Sequence, residues 1–409
     1  MAKINAPPLE PNSISKLCPR EHAPRRSSLP FAESKSPQQL ALIHNIMAPA
    51  DQLPLQSIFT WKPFRLDALG LVTLLGADEV SRAIGGLQHS WLTEYLPLMG
   101  AFMIAGNRFT EPLPGYTAYN ITDGIIPPEL NGPFTRWINN HIYSGPQREA
   151  NTTILTWSLA LEEEVHISWR RELPALLIGL CLNSALLVMT VLMADWYGMA
   201  NSLGMILSVI VRWILIRQNR LELRKLAAGA RRKLKAGLKA HTDLKKMLVE
   251  PPNSGKIVVN YIPGALITCF LLPLDKPHQT LYRSARFVGW VAFGVHVISI
   301  GQSSLVAQLM TIAIMTFGTM AAIYRVGCDE TEFGHFLRAE TKVAYPLTQQ
   351  RRDCFVELEP TLDEENALKS WSLMPLESNR AWFTDYGRRK ELRRAGKPLS
   401  DATAPQGKA

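Results

Sequence analysis

The residue best placed for unusual chemistry is His296, which lies inside a run of 38 residues without a charged side chain, 287–324. An ionisable group in so apolar a run is costly, and it turns toward a cavity or a neighbouring helix. Ala285, Gly289, Ala292, His296, Ser299 and Ser303 recur at intervals of 4, 3, 4, 3 and 4, which lays small and polar residues along one helix face. Such a stripe lets two backbones approach closely, and hydrogen bonds across it are worth about 0.6–2 kcal/mol each. Asn183 and Asn201, with Thr190, Ser208 and Gly318, are the small or polar residues on the other apolar stretches that can face it. The expectation is a structural histidine bonded to one of these. A pore role comes second, and catalysis, with His296 as acid or base oriented by Asn183 or Asn201, third.

Other reactive side chains carry weaker signals. Glu162 and His166 are four residues apart, on one face if the chain is helical there, but two ligands without a third do not make a metal site. The five cysteines form no CxxC pair and are odd in number, which argues against a disulfide framework or a zinc site. Cys328, four residues past the last apolar stretch, sits where S-palmitoylation occurs, although a plain thiol is the simpler reading. No catalytic signature, nucleotide-binding loop or metal-ligand spacing is present, so no cofactor and no metal are expected. The sequence leans against an enzyme.

The elements that must carry these residues are apolar stretches of membrane-spanning length. Residues 173–194, 197–216 and 287–324 hold four such stretches, the last run counting as two. About 20 apolar residues match a hydrocarbon core of ~30 Å. Threaded through a bilayer, they leave Arg170, Arg171, Arg217, Arg220, Arg283, Arg286 and Arg325 on one side, the cytosolic one by the positive-inside rule. Asp195, Trp196 and Tyr197 form the outer turn of the first pair. The fold expected is an all-α membrane protein of two transmembrane helical hairpins, with both termini cytosolic and the organelle open. The uncharged stretch 257–274 would make a fifth span, but Pro263 and Pro273 interrupt it and its β-branched residues favour strand. With Pro251-Pro252-Asn253-Ser254-Gly255 as a turn, 247–250 and 257–261 pair as a short β-hairpin. Residues 66–77 and 95–107 are too short for an ordinary crossing and read as buried or interfacial helices; a crossing at 91–109 would move the N-terminus to the other face.

Six regions follow. Residues 1–60, with nine prolines, read as disordered, and the start of the chain lacks the apolar core of a signal peptide, so an internal span is expected to direct insertion. Residues 61–171 are irregular or interfacial, ending in an approach helix over 152–172; Asn120 and Asn151 open glycosylation sequons that this topology leaves facing the cytosol. Next come the first hairpin, 172–216, a cytosolic insert, 217–286, the second hairpin, 287–325, and a cytosolic tail, 326–409, in which Thr361 and Glu364 form a capping box.

The net charge of +9 resides in the insert, where 217–246 carries eleven basic residues against Glu222 and Asp243. That concentration describes one basic helix rather than a nucleic-acid-binding protein. Its leucines and alanines give a partial apolar stripe, so Arg217, Arg220, Arg224, Lys225, Arg231, Arg232, Lys233 and Lys235, with Arg212 snorkelling from the span, are candidates for contact with lipid headgroups. The partners expected are the bilayer itself and, at the insert, anionic lipid or an acidic protein. A second basic run, Arg388 to Lys390 with Arg393, Arg394 and Lys397, follows Trp382, Phe383 and Tyr386 and also suits a membrane surface.

Two stretches, 195–212 (DWYGMANSLGMILSVIVR) and 281–296 (LYRSARFVGWVAFGVH) continuing to Gly327-Cys328-Asp329, resemble uncharacterised fungal multi-pass integral membrane proteins. The resemblance covers about 170–340 and implies two helical hairpins bracketing a cytosolic insert, with no catalytic residue to carry over. The function expected is a non-enzymatic membrane scaffold or regulator. The alternatives are a membrane-embedded accessory or tailoring enzyme acting on a lipophilic metabolite, and a transporter.

Overall fold

A computed structural model describes residues 76–100, 102–143, 150–159, 169–346 and 351–396. The expectations for 1–60, for most of 66–77, for Glu162 and His166, and for the end of the chain fall outside these residues. Along the chain, α1 (Ala77–Gly85) leads into an irregular segment, 86–100, then a one-turn α2 (Phe102–Ala105), β1 (Thr117–Asn120), α3 (Gly132–Ile142) and β2 (Ala150–Leu159). Two long helices follow, α4 (Trp169–Leu192) and α5 (Trp196–Lys235), then the short α6 (Lys239–Thr242), β3 (Leu244–Glu250), β4 (Ile257–Pro263) and α7 (Ile267–Leu271). A second long pair, α8 (Gln279–Gln302) and α9 (Leu305–Ile323), precedes β5 (Glu332–Phe333), β6 (Leu337–Pro346), α10 (Arg351–Leu358), α11 (Leu362–Ser370) and α12 (Arg380–Arg394).

Among the described residues, four helices are long and apolar enough to cross a membrane: α4, α5, α8 and α9. Their outward faces are as apolar as their inward ones. Leu177, Leu180 and Val188 of α4, Phe287, Val291 and Ile298 of α8, and Phe317 and Met320 of α9 are all exposed. The most extensive helix contact is α5 on α8. Ala285, Gly289, Ala292, His296 and Ser299 are all buried, and a methyl group on Gly204 of α5 would stand 3.3 Å from the Ala292 carbonyl. Close backbone approach is what the small-residue stripe permits.

The fold is not all-α. A six-stranded sheet, ordered β1-β3-β4-β2-β6-β5, is antiparallel except where β2 runs parallel to β4. The expected pair β3–β4 is present, but as two strands of this sheet rather than a hairpin by itself. The approach helix expected from residue 152 is instead, over 152–159, strand β2, buried on both faces and paired parallel with β4 and antiparallel with β6, a place that the β-branched Thr152, Thr153, Ile154 and Thr156 suit. Ile154 enters one core while Leu155 and Trp157 enter the other. The uncharged stretch 257–274 is β4, a 3₁₀ turn and α7, all packed against the sheet core.

The regional division changes accordingly. The sheet takes β1 and β2 from the region before the long helices, β3 and β4 from the insert, and β5 and β6 from the tail, so three segments expected to stand apart form one domain. One face carries α3 and the latter half of α5: Phe134, Trp137, Trp157, Phe270 and Phe333 cluster with centroids 4.6–6.5 Å apart, flanked by Leu223, Ala227 and Ala230. The apolar stripe of the basic helix therefore faces the sheet, not lipid. On the other face, Ile154, Leu248, Ile257 and Val259 meet Phe355, Val356, Leu368 and Tyr386 of α10 to α12. Thr361 and Glu364 do form the capping box of α11. Most of the second basic run turns inward, Arg389 pairing with Asp353 at 2.8 Å and Asp385 at 2.9 Å, and Arg393 with Glu357 at 2.9 Å, while Arg394 is exposed and Lys397 lies outside the described residues. Asn120 is buried with its amide on Asp123, a poor glycosylation acceptor in the folded chain.

His141 stacks on Trp137 with centroids 4.7 Å apart inside this core. Burial, helped by the charge of Arg325, pushes its imidazole down to about 4. The unfolded chain therefore takes up a proton between pH 6.5 and 4 that the folded chain refuses, so stability is full above that window and declines as pH falls through it. The expected loss is about 2 kcal/mol at pH 5 relative to pH 7.5. Urea unfolding followed by tryptophan fluorescence checks this, and His141→Phe should flatten the pH dependence.

Candidate functional site

The segment 86–100 threads between the long helices as irregular backbone, and its peptide groups must find partners outside a helix or sheet. Two glycines make room for it. A methyl group on Gly179 of α4 would lie 2.5 Å from the Tyr95 carbonyl, and one on Gly318 of α9 would lie 2.3 Å from the Pro97 carbonyl. Ser90 Oγ accepts the N–H groups of Leu92 and Thr93 at 3.2 and 2.9 Å and donates to the Val326 carbonyl at 2.7 Å. Thr319 Oγ1 accepts the Met99 N–H at 2.9 Å.

Two arginines on α5 grip the carbonyls. Arg212, 3% exposed, donates through Nη2 to the carbonyls of Glu94 at 2.7 Å and Leu96 at 2.6 Å, with that of Thr93 at 3.5 Å. Eight residues on, Arg220 donates to the carbonyls of Leu87 and Gln88 at 3.3 and 2.9 Å and holds the Glu94 carboxylate at 2.7 and 3.2 Å. Arg286 of α8 takes the carbonyls of Ala105 and Gly106 at 2.8 and 3.2 Å where α2 ends. Arg212 and Arg220 are thus not headgroup anchors: each guanidinium is turned inward onto this segment.

At the far end of the helices, Asp195 is 1% exposed. Its Oδ1 accepts the Gly198 N–H at 2.8 Å and its Oδ2 the Ser304 N–H at 2.7 Å, so one carboxylate serves the N-termini of both α5 and α9.

His296 is 5% exposed and neither ring nitrogen has a hydrogen-bond partner among the described residues. It lines a cavity with Leu98, Met205, Ser208, Arg212 and Met315, with room for roughly one water molecule. The expected partners are engaged elsewhere. Asn201 donates to Thr311 Oγ1 at 2.8 Å and Asn183 to the Gly179 carbonyl of its own helix at 2.7 Å. His296, Asn183 and Asn201 therefore form no hydrogen-bonded constellation. Arg212 and Leu98 also line a second cavity, with Glu94, Arg220, Ser90 and Cys328. Beside it, burial pushes the His89 imidazole down to about 4, opposed by Glu94 and reinforced by Arg220 and His335. Burial pushes the Cys328 thiol up to about 11, a poor nucleophile for acylation.

The remaining headgroup candidates divide. Arg217 is exposed beside the last apolar residues of the span, stacked 4.9 Å from the Trp213 ring. Arg224 lies over Phe336 and Lys225 pairs with Glu222 at 3.2 Å. Arg232, Lys233 and Lys235 are exposed at the far end of α5, and the neighbouring Arg231 is half-buried and engaged.

The grip on 86–100 was hidden from sequence reasoning, although traces of it were there. An arginine in an apolar run, glycines on two facing helices and an apolar segment too short to cross are the parts from which a segment inserted between helices is built. The class defined is a mixed protein, with four apolar helices packed around an irregular insert and continued by a sheet domain. No protein-family model matches the chain, and no curated protein or solved structure is found similar to it.

Replacing Arg212 by Leu strands at least two buried carbonyls, at about 1–3 kcal/mol each. The expected result is a thermal midpoint in mild detergent lowered well beyond that of Arg212→Lys, which keeps a donor. Gly318→Val should be as damaging, since its side chain must displace the Pro97 carbonyl; both are read by fluorescence-detected size exclusion after heating.

Proposed function

We propose that the chain is a four-span, non-enzymatic integral membrane protein that holds its sheet domain against the cytosolic face as a scaffold or regulator. The observation that carries this reading is α5, whose first half is a bundle helix and whose second half is a core helix of the sheet domain. Forty residues at 1.5 Å per residue span about 60 Å, twice the hydrocarbon thickness. Membrane part and sheet domain therefore share one rigid element. The ends of the long helices that carry Arg217, Arg220, Arg283, Arg286 and Arg325 are the ends from which the sheet domain grows, which supports a cytosolic placement of that domain and of both termini. Asp195 with exposed Trp196 and Tyr197 suits the opposite interface. Three polar groups of the bundle have structural employment: Asp195 caps, Asn201 bonds Thr311 and Arg212 holds carbonyls. Membership of the fungal multi-pass group stays part of this proposal, on the two stretches that resemble it.

A second reading, a membrane-embedded tailoring enzyme for a lipophilic metabolite, is favoured by one observation, the unpartnered His296 beside a cavity. The two readings separate on His296→Ala. A scaffold should tolerate it, with protein level normal and the phenotype of a deletion strain fully complemented; an enzyme should fail to complement at the same protein level.

Topology is tested by single cysteines, in a cysteine-free background in sealed membranes, at the exposed positions Asn253, Asp275, Gln302 and Ser378. The expected pattern is protection of Asn253→Cys, Asp275→Cys and Ser378→Cys from an impermeant maleimide applied outside, with Gln302→Cys labelled. Labelling of Ser378→Cys from outside would reject the four-span reading.

A further inference from the structure

The two basic runs of the chain have opposite fates. In α12 four of the cations are spent on the domain's own carboxylates, as the pairs of Arg388, Arg389, Lys390 and Arg393 with Asp385, Asp353, Glu365 and Glu357 show. At the end of α5, Arg232, Lys233, Lys235 and Lys239 are exposed, and no acidic side chain pairs with them among the described residues. Four cations close together repel one another, and proximity to a helix C-terminus offsets only part of that. Beside them the chain exposes two large apolar side chains, Leu238 at 60%, between Lys235 and Lys239, and Leu244 at 51%, where β3 begins after the exposed Asp243. An exposed leucine between unpaired cations offers a partner an apolar contact inside a positively charged rim, and charge complementarity sets which partner it is.

The home membrane is out of reach. Ile216 ends the apolar part of α5, and at 1.5 Å per residue Lys235 lies about 28 Å further along the helix. That is more than three times the screening length of about 8 Å at physiological salt. Of the headgroup candidates on this helix, Arg217 remains within range.

We propose that this tip, formed by Arg232, Lys233, Lys235, Lys239, Leu238 and Leu244, docks an acidic, leucine-bearing segment of a partner protein. Carboxylates of the partner pair with the four cations, and its apolar side chains cover the two leucines. The inference supplies the partner chemistry for the scaffold reading and rests on it for the distance to the membrane. Cysteine accessibility tests the cytosolic placement of the sheet domain independently of binding, and quenching of a probe on Lys235→Cys by spin-labelled lipid tests the distance.

The test uses the full chain in phosphatidylcholine nanodiscs at physiological salt, titrated with a fluorescent peptide of about 18 residues carrying leucines at helical spacing and glutamates elsewhere. Fluorescence anisotropy should show saturable binding, weakened at least about tenfold by replacing Arg232, Lys233, Lys235 and Lys239 together with Ser. It should also be weakened about fivefold by Leu238→Ser with Leu244→Ser, which separates docking from bare charge attraction. All six side chains are exposed, and an unchanged thermal midpoint verifies that the variants fold. Absence of binding, or equal binding by either variant, overturns the proposal. So does tighter, cation-dependent recruitment to phosphatidylserine vesicles than to the peptide, which would make the tip a grip for a second membrane.

Discussion

Everything in the bundle depends on how the peptide groups of 86–100 are satisfied. A segment that is neither helix nor strand leaves buried carbonyls with no regular partner of their own, and each must be met by a side chain. Arg212 and Arg220, both on α5, supply the donors, while Gly179 and Gly318 supply the space. The arrangement is mutual: a guanidinium this deeply buried is tolerable because five carbonyls and the Glu94 carboxylate surround the pair. Remove the irregular segment and α4, α5 and α9 would face a groove lined by an uncompensated charge. The insert is therefore as much a structural element of the bundle as any of its helices.

A second consequence follows from the order of elements along the chain. β2 precedes the first pair of long helices, β3 and β4 lie between the pairs, and β5 and β6 follow the second pair. The central contacts of the sheet, β2 with β4 and β2 with β6, thus join residues separated by one or both pairs. Contacts of such long sequence range are costly to close from a free chain. Helices already placed side by side bring the strand-bearing segments to one end and reduce that cost. Asp195, holding the starts of α5 and α9 with one carboxylate at the opposite end, contributes to the same alignment.

Charge illustrates how little a composition says about use. The runs at 217–246 and 388–397 look alike as strings of Lys and Arg, and both suit an anionic surface. In the fold, Lys246 pairs with Glu364, Arg220 with Glu94 and Arg389 with Asp353, so much of the positive charge balances carboxylates that lie far away in sequence. At the end of α5, by contrast, Arg232, Lys233, Lys235 and Lys239 lie exposed and near one another in sequence without an acidic partner among the described residues, where they are available for something outside the chain.

The sequence by itself determined the local periodicities: four apolar helices of spanning length, the small-residue stripe through His296, the β3–β4 pair and the capping box at Thr361 and Glu364. Each is a property of a short window, in which propensity and pattern agree. It also excluded a span at 257–274, through its prolines and β-branched residues. Tertiary structure alone decided that β2 is a strand and not an approach helix, because Thr152 to Thr156 satisfy the patterns of both until β4 and β6 pair with them. It decided that three segments make one sheet, that Arg212 faces carbonyls rather than headgroups, and that Asn183 and Asn201 leave His296 alone. Apart from Asn183, which bonds Gly179 on its own helix, the deciding partner lies tens to hundreds of residues away, and hydrogen bonds and ion pairs between such distant groups leave no periodic trace in either of the strings they join.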